Sequence, residues 1–147
     1  MTIVPEMIDV MGVLPHRYPF LLVDRLEVTE IGRVAVGIKR VTGSEWFAQA
    51  SGSHPVPMPH LLVVEALAQT SAAILAGLLP DSNGTIGYFA AIRRVRCREN
   101  ANVGDVVTLR VELESFKRGV AKLKGIATVA GRTCVTAEFT TIVRPRE

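Results

Sequence analysis

The sequence predicts an α+β fold in which one long apolar helix is enclosed by a curved antiparallel sheet. Three observations carry this. Residues 61–79 are apolar around nearly the whole circumference of a helix, so that helix must be buried on most sides. Six other stretches, two before it and four after, read as strands from alternation or from β-branched content. The turns between successive strands are too short for parallel crossovers, which makes the pairing antiparallel.

Each element has a local reason. Residues 4–11 read as a short helix ended by Gly12. Residues 13–19 are an irregular approach stiffened by Pro15 and Pro19. Strands follow over 20–28 and 33–41, joined by a turn at Glu30-Ile31-Gly32, and a short helix is expected over 43–49. Residues 50–60 form a loop with Pro55, Pro57 and Pro59, and Pro59 suits the first turn of the long helix. Pro80-Asp81-Ser82-Asn83-Gly84 breaks that helix. Strands then occupy 86–98, 106–116, 121–129 and 132–143. In the second of these Val107, Leu109, Val111 and Leu113 alternate with Thr108, Arg110, Glu112 and Glu114. A sheet curled around a single buried helix is a hotdog-like layout. One sheet covers only part of such a helix, so a second copy is expected to cover the rest.

Composition excludes several classes. At 147 residues and 48% hydrophobic, the chain reads as one domain, 1–147, with a genuine core. A formal charge of +3 with 5% aromatics and no long basic block argues against a nucleic-acid binder. Cys97 and Cys134 make no disulfide framework and no zinc-spaced cluster, so no metal is expected. Met1 to Gly12 has no basic residue before an apolar run, so no secretory signal is read and a cytoplasmic location is expected. Residues 61–79 carry Glu65, Gln69, Thr70 and Ser71, which argues for a core helix over a membrane span.

Glu65 is the strongest chemical signal. Its neighbours in the helix are apolar, and burial favours the protonated carboxyl, which suits a general acid. The alternative is a structural carboxylate that pairs with an arginine or caps backbone. Gln69 lies four residues on, on the same face, within hydrogen-bonding range. The helix N-terminus at His60 and Leu61 offers free N–H groups to an anion or oxyanion, as every helix start does. His54 and His60 sit on the loop before Glu65, as acid–base partners or as solvated loop histidines. His16 is read as a residue that hydrogen-bonds backbone in a tight segment. Arg94, Arg96 and Arg98 fall on one strand face with Arg93 beside them, either as a solvated face or as a dock for an acidic partner.

The run Val13-Leu14-Pro15-His16-Arg17-Tyr18-Pro19-Phe20-Leu21-Leu22-Val23-Asp24-Arg25 resembles the opening signature of FabZ-type (3R)-hydroxyacyl-acyl carrier protein dehydratases. Glu65-Ala66-Leu67-Ala68-Gln69 resembles their central helix, and Tyr88-Phe89-Ala90, Gly104-Asp105, Arg118-Gly119, Lys124-Gly125 and Gly131 extend the resemblance over nearly the whole chain. The resemblance implies a hotdog fold, a homodimer often assembled as a trimer of dimers, and removal of water from a 3-hydroxyacyl thioester on acyl carrier protein. It implies no cofactor. It also implies a His base at carbon 2, a Glu from the other subunit at the hydroxyl, and a backbone N–H at the helix start for the thioester carbonyl. Tyr88 and Phe89 fall with the substrate-binding positions.

The base is where this chain departs. The family places its His fourteen residues before the Glu, within Gly-His-Phe-Pro-Gly, and here that position is Ser51. His60 replaces the Gly that opens the helix. Three readings follow. One is a dehydratase with His54 as a relocated base and Glu65 as acid. Another is a non-catalytic module that binds the acyl thioester or its carrier. The last is a thioesterase in which Glu65 activates water. A serine hydroxyl alone does not replace the base, because it is a poor proton acceptor.

Overall fold

The computed structural model describes residues 5–49, 54, 56–79 and 85–145. Among the described residues seven strands form one antiparallel sheet in the order β1-β2-β3-β5-β6-β7-β4, wrapped around one long helix. The strands are β1 (Glu6–Ile8), β2 (Arg25–Glu30), β3 (Val34–Arg40), β4 (Thr85–Cys97), β5 (Val106–Lys117), β6 (Val120–Val129) and β7 (Arg132–Pro145). The helices are α1 (Val10–Val13) and α2 (His60–Leu78).

The central helix and the last three strands lie where the sequence places them. In β5, Val107, Leu109 and Val111 are fully buried, as the alternation requires. Three early elements differ. Residues 4–11 were expected to be one helix; Glu6–Ile8 instead pairs with Leu26–Val28 as an edge strand, and the helix is the single turn Val10–Val13. Residues 43–49 make turns, held by Glu45 N–H on Thr42 O and Ala48 N–H on Glu45 O, three residues back in each case. The strand expected over 20–28 starts only at Arg25. Leu22 spends its N–H and Phe20 its C=O on the Gln69 side chain, which takes those groups away from a sheet ladder.

Packing explains the wrap. Val63, Leu67 and Ile74 of α2 are fully buried against Leu26, Leu109, Leu123 and Phe139 of the strands. Two glycines let the sheet approach closely. A Cβ on Gly37 of β3 would collide with Thr70 Oγ1, and one on Gly125 of β6 would lie 3.0 Å from Leu67 Cδ2. By length and composition α2 could cross a bilayer, but it lies inside this sheet and more than half of its apolar window is buried.

The wrap is incomplete on one side. Ala68, Ala72 and Ala76 form a stripe of small residues that faces a cavity, with β4 along its edge. Among the described residues β4 pairs with β7 alone and ends the sheet. Its Tyr88, Phe89 and Ile92 are exposed although all three are large and apolar. A thirteen-residue edge strand with exposed aromatics is a template for pairing with another chain.

Candidate active site

The cavity beside β4 has a volume of about 650 Å³. α2 contributes Glu65 and Gln69, β4 contributes Tyr88 and Phe89, and the segment before β2 contributes His16 and Arg17. Four residues singled out from the sequence thus share one cavity: Glu65, Gln69, Tyr88 and Phe89.

Gln69 organises its centre. Its side chain is buried, its Oε1 accepts from Leu22 N–H at 2.9 Å, and its Nε2 donates to Phe20 O at 2.8 Å. These two contacts fix which way the amide faces. Its nitrogen also donates to Glu65 Oε1 at 3.0 Å, one helical turn away. Glu65 Oε1 is therefore an acceptor, and Gln69 makes no contact with Oε2. Only a fifth of the Glu65 side chain is exposed, toward the cavity.

His16 is the residue that sequence reasoning missed. Its Nε2 lies 3.5 Å from Glu65 Oε1. The sequence suggested a backbone-bonding role in a tight segment, but Arg17 fills it. The Arg17 guanidinium donates to Leu14 O at 2.8 Å, to His16 O at 2.7 Å and to Met11 O at 3.1 Å. The turn that follows is closed by Phe20 N–H and Leu21 N–H on Arg17 O. With the backbone held by Arg17 and by Gln69, the imidazole is free to face α2. The signal that could have found it was the pair of fixed motifs themselves: if Gln69 clamps the segment carrying Phe20, His16 cannot be far from Glu65.

The other sequence-derived residues lie elsewhere. Ser51 is outside the described residues. His54 is exposed on the loop before α2 and does not line this cavity. His60 opens α2 and its Nε2 lies 3.1 Å from Glu99 O, while Leu61 is exposed. Neither lines the cavity that holds Glu65, so one protomer does not bring the helix start and the carboxyl into one cavity. Among the described residues no His, Cys, Asp and Glu group could hold a metal ion.

The arginines of β4 are split by a bulge. The register slips between Arg93 and Arg96, and Arg94 takes a left-handed backbone at φ 49°. Arg94 and Arg96 then line a second, open cavity of about 320 Å³ with Arg110 of β5 and Lys124 of β6. Arg93 and Arg98 are exposed beside it.

A long helix wrapped by a curled antiparallel sheet defines the hotdog class. Solved structures agree on this fold. The dehydratase heterocomplex ApeI:P from Xenorhabdus doucetiae matches with a TM-score of 0.79 at 18% identity, over 95% of this chain and 93% of that one. A hot-dog-like protein from Thermanaerovibrio acidaminovorans matches at 0.64 and 21% identity, over 78% and 83%. Sequence comparison goes further. The FabA-like domain matches residues 14–138. The 3-hydroxyacyl-[acyl-carrier-protein] dehydratase FabZ of Syntrophotalea carbinolica is 44% identical over 96% of this chain and 96% of its own length. That of Roseiflexus castenholzii is 45% identical over 89% and 91%. The chain belongs to the FabA-like family and, within it, to the FabZ-type dehydratases.

Proposed function

We propose that the protein is a hydro-lyase that interconverts a 3-hydroxyacyl thioester and its trans-2-enoyl product, on an acyl carrier protein, in fatty acid biosynthesis. One observation carries the reading beyond family membership. Glu65 is held through Oε1 by Gln69 and lines the same cavity as Tyr88 and Phe89. Dehydration needs a proton taken from carbon 2 and a proton given to the hydroxyl leaving carbon 3. Glu65 supplies the second through Oε2. His54, three residues past Ser51, takes the first. The helix start at His60 and Leu61 receives the thioester oxygen, where developing negative charge meets free N–H groups.

The two halves come from two subunits. A second copy seated on the edge of β4 covers Tyr88, Phe89 and Ile92 and brings its own helix start and loop toward Glu65. The assembly is thus a homodimer, and three such dimers give the larger form. The acidic carrier docks on the cationic surface of Arg93, Arg94, Arg96 and Arg98, where Arg110 and Lys124 add charge. A cytoplasmic location and the absence of a cofactor belong to the same reading.

The position of Ser51 favours a second reading, a module that binds acyl thioesters without turning them over. The test is hydration of a short trans-2-enoyl thioester, followed by loss of its absorbance. The first reading expects turnover that falls about 10²–10⁴-fold in Glu65→Gln and in His54→Ala. No turnover by the wild type, with calorimetric binding of an acyl thioester intact, selects the module. Ser51→His would then restore activity, since it rebuilds the family's spacing to Glu65.

A further inference from the structure

His16 is a titratable side chain at the cavity, beside Glu65, that the proposed reaction leaves without a role. Its exposed edge meets Glu65, with Nε2 at 3.5 Å from Oε1. Its other ring nitrogen, Nδ1, is buried and has no hydrogen-bond partner among the described residues. The two nitrogens therefore differ in what each can tolerate. A buried N–H without an acceptor is rare in folded proteins, rarer than a carbonyl or ring lone pair left unsatisfied. A proton on Nδ1 would create such a donor. It would also remove the donor that faces Glu65. A proton on Nε2 leaves only a lone pair unused and points an N–H at the carboxyl. Adding the second proton restores the buried orphan.

We infer that His16 is a positioning residue: a neutral imidazole whose Nε2–H joins the Gln69 amide on Glu65 Oε1, so that the exchangeable proton of the carboxyl is confined to Oε2, facing the substrate. The inference rests on the dehydratase reading for its consequence, though not for its geometry. The 3.5 Å separation is at the long end for a hydrogen bond, and contacts of this kind tighten once substrate is bound. Two donors on one oxygen do what one cannot. They hold the carboxyl plane against rotation about its last bond, which is broad and soft in glutamate. His16 itself moves no proton. Its neighbour Phe20, with ring centroids 6.3 Å apart, and the backbone clamp of Arg17 keep the ring in place.

The two claims, tautomer and consequence, are tested separately. In the intact wild-type protein, the nitrogen shifts and ring couplings of ¹⁵N-labelled His16 report which nitrogen carries the proton. The Nε2–H form is expected, and the Nδ1–H form or a doubly protonated ring at neutral pH overturns the inference whether or not the protein turns over substrate. Enoyl-thioester hydration then compares His16→Ala with His16→Gln, whose amide N–H reaches about as far as Nε2. His16→Ala is expected to lower kcat about tenfold with KM within about twofold, the signature of an interaction used at the transition state. His16→Gln is expected to recover most of that loss. Equal losses of 10²-fold or more in both variants would instead make His16 a proton-transfer group. Full activity in His16→Ala would remove the positioning role. A wild type without turnover but with Nε2–H at His16 counts against the dehydratase reading and leaves the tautomer assignment standing.

Discussion

Gln69→Leu isolates the interaction that ties the N-terminal segment to the central helix. Leucine fills nearly the same volume but offers no polar atoms. Three contacts disappear: the acceptor for Leu22 N–H, the donor to Phe20 O and the donor to Glu65. They are not equal. Phe20 is partly exposed and Glu65 borders the cavity, so water can replace the donor at each. Leu22 is fully buried, so its N–H is left unsatisfied, which costs about 1–3 kcal/mol. Taking about 2 kcal/mol, and an unfolding entropy of about 2.1 cal/mol/K per residue, the expected fall in Tm is about 6 °C. Gln69→Glu sharpens the comparison. It restores an acceptor for Leu22 N–H but sets a second carboxylate one helical turn from Glu65 and an acceptor against Phe20 O, so at neutral pH it should lose more than the leucine variant. The assay is thermal unfolding followed by circular dichroism at one fixed protein concentration, because subunit association makes Tm concentration-dependent. A fall below about 2 °C for Gln69→Leu, or a glutamate variant as stable as wild type, refutes the clamp.

Three further outcomes follow from other parts of the fold. Lys39 is buried and paired with Glu45, so Lys39→Met strands a carboxylate and should destabilise by about 3–5 kcal/mol in urea unfolding, with Lys39→Met/Glu45→Leu recovering much of it. Gly37→Ala drives a methyl into Thr70 Oγ1 and should lose about 1–3 kcal/mol, while adding Thr70→Ala should give part of that back in the same measurement. Burial pushes the Cys134 thiol above its ordinary range, whereas Cys97 is exposed. A raised pKa leaves less thiolate at any given pH, so iodoacetamide at pH 8 should alkylate Cys97 promptly and Cys134 only after denaturation, as read by mass spectrometry.

Parts of the fold whose causes are local were legible in the residues alone. Residues 61–79 had to be a buried helix because apolar residues cover nearly its whole circumference, and α2 occupies His60–Leu78. Glu65 and Gln69 had to meet because four residues span one helical turn, and they do. Alternation alone placed Val107, Leu109 and Val111 on the inner face of β5. Resemblance supplied the family and with it the reaction. Tertiary structure decided what depends on contacts far apart along the chain. Phe20 and Leu22 looked like strand because their side chains suit one, but a side chain 47 residues away from Leu22 claims its N–H before a neighbouring strand can. The bulge at Arg94 arises from the register of β4 on β7, elements separated by two intervening strands, so even spacing in the sequence could not reveal it. His16 and Glu65 meet for the same reason. Periodicity reports which way a residue points within its own element. Which two elements face one another across a cavity is set by how the whole sheet closes on the helix.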